Sequence, residues 1–200
     1  MVIRMREIIS QPWDKVIESI RKLYESEEKQ TLLIAIDGRS GSGKTTLANC
    51  IREQLGGNVF HMDDFFLRPE QRTKERLEEV GGNVDYERFK KVLEQIGNKS
   101  TICYQAYDCK LQELQKPIQM EAMRLNIVEG SYSMHPYFED VYDLKIAVDM
   151  KEELQRERIL QRNGAAMLKR FEEEWIPKEN AYFEKFAIFE KCDVRIQIKE

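Results

Sequence analysis

The segment Leu32-Leu33-Ile34-Ala35-Ile36-Asp37-Gly38-Arg39-Ser40-Gly41-Ser42-Gly43-Lys44-Thr45-Thr46-Leu47 decides how the rest of the chain is read. Its first part, Leu32 to Asp37, is a nearly continuous apolar run fit for a strand covered on both faces, and Gly38 ends it. From Lys44 through Leu55 the pattern becomes helical, and Gly56-Gly57 follow as a stop of the left-handed cap type. Between strand and helix, Gly38 to Thr45 fits G-x-x-x-x-G-K-[ST] without a mismatch. Four fixed positions coincide by chance in on the order of one chain in a hundred at ordinary residue frequencies. The strand before and the helix after make coincidence rarer still.

The residue types follow from the chemistry of holding phosphate. Glycines let successive backbone N–H groups converge on an anion without Cβ interference, and the following helix adds its positive N-terminal end. Gly38, Arg39, Ser40, Gly41, Ser42, Gly43, Lys44, Thr45 and Thr46 are the candidate nucleotide contacts. Lys44 has the reach of a point charge for the β- and γ-phosphates, and the Thr45 hydroxyl is placed to bind Mg²⁺. The cofactors implied are ATP and Mg²⁺.

Working outward, 200 residues with 42% apolar content suit one domain with a well-buried core. Residues 1–30 read as an amphipathic helix, with Trp13, Val16, Ile17, Ile20, Leu23 and Tyr24 on one face, laid against a domain of residues 31–200. The charge is nearly balanced at -4, with no basic block or aromatic-basic stripe, which argues against nucleic acid as a partner. No apolar stretch approaches the roughly 20 residues of a membrane span, and a cytoplasmic location is expected. Cys50, Cys103, Cys109 and Cys192 are scattered without a C-x-x-C pair, and His61 and His135 are not spaced as zinc partners, so reduced thiols are expected. Assembly into a homo-oligomer is left open.

Short β-rich runs alternate with longer helical stretches, the signature of βαβ units around a mostly parallel sheet flanked by helices. Further strands are predicted at 58–62, 101–105, 125–129, 145–148 and 194–198, and helices at 69–79, after Asp85, at 152–162 and at 171–189. In such a sheet ligands gather beyond the carboxyl ends of the strands, so acids that follow strands are the ones to weigh. Asp63-Asp64 and Glu129 stand at such ends. Either site can help hold Mg²⁺ through its water shell, and one acid can take a proton from an attacking hydroxyl. The plainer readings are a turn or helix cap for Asp63-Asp64 and an ordinary strand-end acid for Glu129.

IAIDGRSGSGKTTLA, Asp63 to Phe66, Asn83-Val84-Asp85, Tyr107-Asp108 and Ile127 to Gly130 occur in the order seen in uridine kinases, and over about Leu32 to Ile198 the chain resembles that family. The resemblance implies an α/β P-loop NTPase fold with a short arginine-bearing helical lid, and transfer of the γ-phosphate of ATP to a hydroxyl of a small molecule. By position it makes Asp63 the acceptor of a nucleoside hydroxyl proton, Asp85 the acid that holds ribose hydroxyls, Tyr107 a substrate-pocket aromatic and Glu129 the acid near magnesium. Tyr86-Glu87 stand where the family usually has His-Pro, and Gln112 where a base-reading histidine is common. Pantothenate kinase, phosphoribulokinase and nicotinamide riboside kinase resemble the same scaffold, so the acceptor stays open among them.

On the helix of the expected lid lie Arg156, Arg158 and Arg162. Like charges four apart cost an isolated helix roughly 0.2–0.5 kcal/mol, a penalty an anion would relieve. Arg158 and Arg162 are therefore candidates for the transferring phosphate and Arg156 for the substrate, the alternative being a solvated charged face. A regulatory GTPase would need N-K-x-D, whereas Asn98-Lys99 is followed by Ser100-Thr101. A nucleotide sensor without turnover is a further alternative, and Asp63 argues against it.

Overall fold

The computed structural model describes residues 8–9, 13–26 and 29–199; of the expected helical leader 1–30, residues 1–7, 10–12 and 27–28 lie outside the described residues. A short strand β1 (Ile8–Ile9) precedes helix α1 (Asp14–Glu25), so the leader is not helical throughout. Then come β2 (Leu32–Gly38), α2 (Lys44–Leu55) and β3 (Asn58–His61). Gly56 stops α2 with φ 74° and ψ -163°, a positive φ outside the left-handed helical region expected of the cap.

A 3₁₀ turn at Met62–Phe65 follows β3. The charged helix predicted over 69–79 is broken into a 3₁₀ turn, Pro69–Gln71, and α3 (Lys74–Glu78). The break has a local cause: the Thr73 hydroxyl caps α3 by accepting from the Arg76 amide, while the Arg72 guanidinium turns back to the Leu67 carbonyl. Helix α4 (Tyr86–Leu93) starts at Asp85, whose carboxylate accepts from the Arg88 amide at 3.0 Å.

Next are the strands β4 (Thr101–Tyr104), β5 (Tyr107–Asp108), β6 (Glu113–Leu114), β7 (Ile118–Glu121), β8 (Leu125–Glu129) and β9 (Leu144–Met150). The chain ends through α5 (Glu152–Asn163), α6 (Ala165–Arg170), a π-helical turn at Phe171–Trp175, α7 (Ile176–Phe186), α8 (Ile188–Lys191) and β10 (Val194–Ile198). Pro177 sits in the first turn of α7, directly after the π-helical turn.

The main sheet has six strands in the order β1-β10-β9-β2-β8-β3, and every pairing is parallel. Alternate residues of β2 serve opposite cores: Ile34 and Ile36 pack with α1 and α2, Leu33 and Ala35 with α4 and α7. Burying each such aliphatic side chain contributes about 1.5–3 kcal/mol, which accounts for the unbroken apolar run. Val16, Ile17 and Ile20 dock α1 on the first of these cores.

The strand at 101–105 does not join this sheet. It forms an antiparallel pair with β7, and β5 pairs with β6 in a second ribbon. Its burial alternates, Ile102 and Tyr104 in, Thr101 and Cys103 out, a pattern suited to a one-sided ribbon rather than a central parallel strand. Among the described residues no helix is long and apolar enough to cross a membrane.

Candidate active site

The carboxyl ends of β2, β3 and β8 converge on the loop between β2 and α2. Gly38 has φ 139°, and a Cβ there would lie 2.0 Å from the Val148 carbonyl oxygen, so only glycine lets the chain leave β2 against β9. Gly43, φ 94°, opens α2 without a side-chain cap, which leaves the first amides of that helix for a ligand. The Lys44 ammonium is buried under the loop and donates to the carbonyls of Gly38 at 2.8 Å and Arg39 at 2.9 Å. Thr45 and Thr46 are exposed in the first turn of α2.

Sheet register supplies the facing acids. His61 and Glu129 are paired positions of β3 and β8, and their side chains meet, with His61 Nδ1 2.5 Å from Glu129 Oε1. The same oxygen accepts from the Thr45 hydroxyl at 3.1 Å. Glu129 thus raises the His61 pKa through the hydrogen bond, against the lowering effect of burial. Asp63, on the 3₁₀ turn that follows β3, is exposed. Surrounding protein raises its pKa, Lys44 opposes that rise, and Glu129, Glu179 and Asp64 add to it. Lys44, Thr45, Asp63 and Glu129 therefore share one site.

Other residues of the loop point elsewhere. The Arg39 guanidinium bonds Asp149 at 2.9 Å and Asn180, and lies over the Phe183 and Phe189 rings, so its side chain ties the loop to β9 and α7. Ser42 is buried, and Ser40 gives both its amide and its hydroxyl to Glu179 of α7. Gly41 touches the lid helix: a Cβ there would meet Ile159 at 3.6 Å and Arg158 at 3.8 Å. Of the three lid arginines, Arg158 donates toward the Gly41 carbonyl at 3.4 Å, Arg156 is paired outward with Glu172 at 2.6 Å, and Arg162 is exposed and bonded to Asn163.

The residues expected at the acceptor side are divided. Asp85 is 2% exposed, and its oxygens are taken by the Arg88 amide and guanidinium and by Gln71 at 3.0 Å. Tyr107 is buried except along a cleft of about 410 Å³ that it lines with Asp64, Ala106, Asp108, Cys109, Lys110 and Gln115, and its hydroxyl accepts from Arg72 at 3.0 Å. Gln112 stands in an exposed turn at φ 57°, and Gln115 is the glutamine that faces the cleft.

Three further residues packed about this loop escaped the sequence reading. Asp37, wholly buried, accepts from the amides of Gly38 (2.7 Å), Tyr132 (3.2 Å) and Met134 (2.9 Å) and from the Tyr182 hydroxyl (2.7 Å), and burial pushes its pKa up to about 6. A lone acid closing an apolar strand was the signal for it. His61 and Glu179 had none, because their partners are set by sheet register and helix docking.

The donor set suits a nucleotide with Mg²⁺. Among the described residues no three acids, histidines or cysteines cluster as a self-sufficient metal site. Mg²⁺ in phosphoryl-transfer sites is usually held by one or two carboxylates with substrate phosphates and water, all hard oxygen ligands. Thr45 and Glu129, in contact at 3.1 Å and beside Lys44 and Asp63, provide that kind of partial cage.

The family model described as "Phosphoribulokinase / Uridine kinase family" matches residues 33–173. The chain belongs to the phosphoribulokinase/uridine kinase family. Within it, a uridine kinase of Ureaplasma parvum is 29% identical over 143 residues, covering 66% of this chain and 69% of that protein. Uridine-cytidine kinase D of Dictyostelium discoideum is 25% identical over 138 residues, 65% of this chain but 26% of the relative's own length. A solved structure described as a possible uridine kinase from Bacillus stearothermophilus has the same fold, with a TM-score of 0.69 at 20% identity over 92% of this chain and 98% of that one. The fold is thus that of the P-loop kinases of the family, a parallel sheet flanked by helices.

Proposed function

We propose that this chain transfers the γ-phosphate of ATP to a hydroxyl of a small molecule, with a nucleoside as the first acceptor class. The observation that carries the reading is the Thr45–Glu129 contact beside Lys44 at the phosphate loop, with Asp63 on the turn that follows the neighbouring strand β3. Phosphoryl transfer asks for positioning and charge neutralisation more than covalent help. In this reading the loop amides and Lys44 hold the β- and γ-phosphates, and Arg158 brings positive charge to the transferring group when the lid closes. Thr45 and Glu129, with help from Asp63, would hold Mg²⁺, which would supply further charge neutralisation when bound. Asp63 accepts the proton of the attacking hydroxyl as general base.

The nucleoside comes from the relatives named uridine kinases. One observation favours a second class, a sugar phosphate or pantothenate: the Asp85 carboxylate, expected to hold ribose, is engaged by Gln71 and Arg88. A cytoplasmic site of action goes with free thiols at Cys50, Cys103, Cys109 and Cys192.

The test is to supply Mg-ATP with a panel of nucleosides, pantothenate and sugar phosphates and to follow ADP. Acceptor-dependent ADP is expected for one class, and none with any acceptor would refute the kinase reading. Asp63→Asn should lower kcat by about 10²–10⁴ with ATP affinity largely kept; full turnover in that variant removes Asp63 from the mechanism.

A further inference from the structure

Helix α7 sets a carboxylate against the phosphate loop. Glu179 is 3% exposed and accepts from the Ser40 amide at 3.1 Å, the Ser40 hydroxyl and the Gln155 side-chain amide at 3.4 Å, and it shares the single proton of the Ser131 hydroxyl, 2.9 Å away, with the Gly38 carbonyl. These donors belong to three elements that must act together: the phosphate loop, the turn after β8 and lid helix α5. All are neutral. A buried carboxylate is costly without full hydrogen bonding, and this one is satisfied only while the three elements keep this arrangement.

The same helix is held twice more, once by the loop and once by β2. Asn180 accepts from the Arg39 guanidinium, and the Tyr182 hydroxyl donates to Asp37 at 2.7 Å. Through the π-helical turn at Phe171–Trp175, α7 is continuous with the lid. The negative charge of Glu179 cannot itself hold phosphate. It engages both the amide and the hydroxyl of Ser40 from the α7 side of the loop.

Resting on the kinase reading above, we propose that Glu179 is a positioning residue for phosphoryl transfer, fixing Ser40 and registering α5 through Gln155 so that the γ-phosphate stands in line with Asp63. Small displacements suffice to matter, since a misplacement of about 1 Å in such a site costs on the order of 10²-fold in rate.

The experiment compares wild type, Glu179→Gln, Ser40→Ala and the double variant, with kcat from ADP release and ATP affinity from tryptophan fluorescence. Trp13 packs beside Gly43 and Trp175 lies in the π-helical turn, so both tryptophans report on the region. Glutamine keeps the shape but turns an amide group toward donors. We expect kcat to fall about 10–100-fold with ATP affinity within about 3-fold of wild type, and the double variant to be no worse than the poorer single one. Equal kcat in Glu179→Gln and wild type, a parallel loss of affinity and kcat, or additive effects of the two substitutions would each overturn the assignment. A wild type that makes no ADP sinks the kinase reading instead, so the two failures are separate. If the glutamine variant does not fold, Glu179→Asp, which keeps the charge and shortens the reach, is judged by the same criteria.

Discussion

Asp37 stands one residue before the phosphate loop, inside the sheet, where it gathers four donors from the loop, the turn after β8 and α7. Desolvation outweighs these hydrogen bonds and the pull of Lys44, so its pKa rises from 3.8 to about 6. A carboxyl group whose pKa rises on folding stabilises the fold fully below its unfolded pKa and loses that contribution as pH climbs through the folded value. Between pH 4 and 7 the loss amounts to at most about 3 kcal/mol. The stability difference between wild type and Asp37→Asn, from urea unfolding at each pH, should therefore shrink for wild type as pH rises over this window. A constant difference would show that Asp37 is not shifted. At this scale the sequence revealed the special positions of the loop, since Gly38 and Gly43 are demanded by local backbone shape and Lys44 and Thr45 complete the G-x-x-x-x-G-K-[ST] pattern. It did not reveal that Gln71 also takes up the Asp85 carboxylate, because that contact depends on how the loop at 69–71 folds back on α4, whereas the Arg88 bonds are local to the start of that helix.

Element orientation decides among the lid arginines. Helix α5 docks on Gly41 through Gln155 and Ile159, both buried, and that rotation carries Arg158 to the loop. Arg162 lies a turn further on, exposed beside Asn163, and Arg156 turns to Glu172. The lid also has a small apolar cluster of its own, Ile159, Phe171 and Ile176, which lets it keep its shape as a unit. Arg158→Ala should lower kcat by about 10²-fold or more, as loss of a charge on the transferring phosphate does, whereas Arg156→Ala and Arg162→Ala should stay within about 3-fold of wild type. Steady-state kinetics under saturating ATP check this ranking; an equal loss in all three would mean that α5 rotates on closure. Spacing alone paired Arg158 with Arg162, since residues four apart share a face, but it carries no information on where along that face the loop is met.

For the whole molecule, α1 and the sheet share one apolar core, and Ile20 is fully buried in it with Ile34, Ile36 and Ile51. We propose that α1 and the kinase domain unfold as one unit. Ile20→Ala should cost about 2–5 kcal/mol in a single denaturant transition, and a separate early transition for α1 would contradict this. The sequence alone determined the strand-loop-helix that cradles phosphate, the parallel strands at β2, β8 and β10 and the face by which α1 packs. Each is written in neighbouring residues, by apolar period and by glycine where the backbone must turn. Only the tertiary structure decided that β4 leaves the main sheet, that Glu129 meets His61 and Thr45, and that Glu179 reaches Ser40 across 139 positions of chain. Contacts between distant residues follow from strand register and helix rotation, and these are settled by the packing of the whole core rather than by any local pattern.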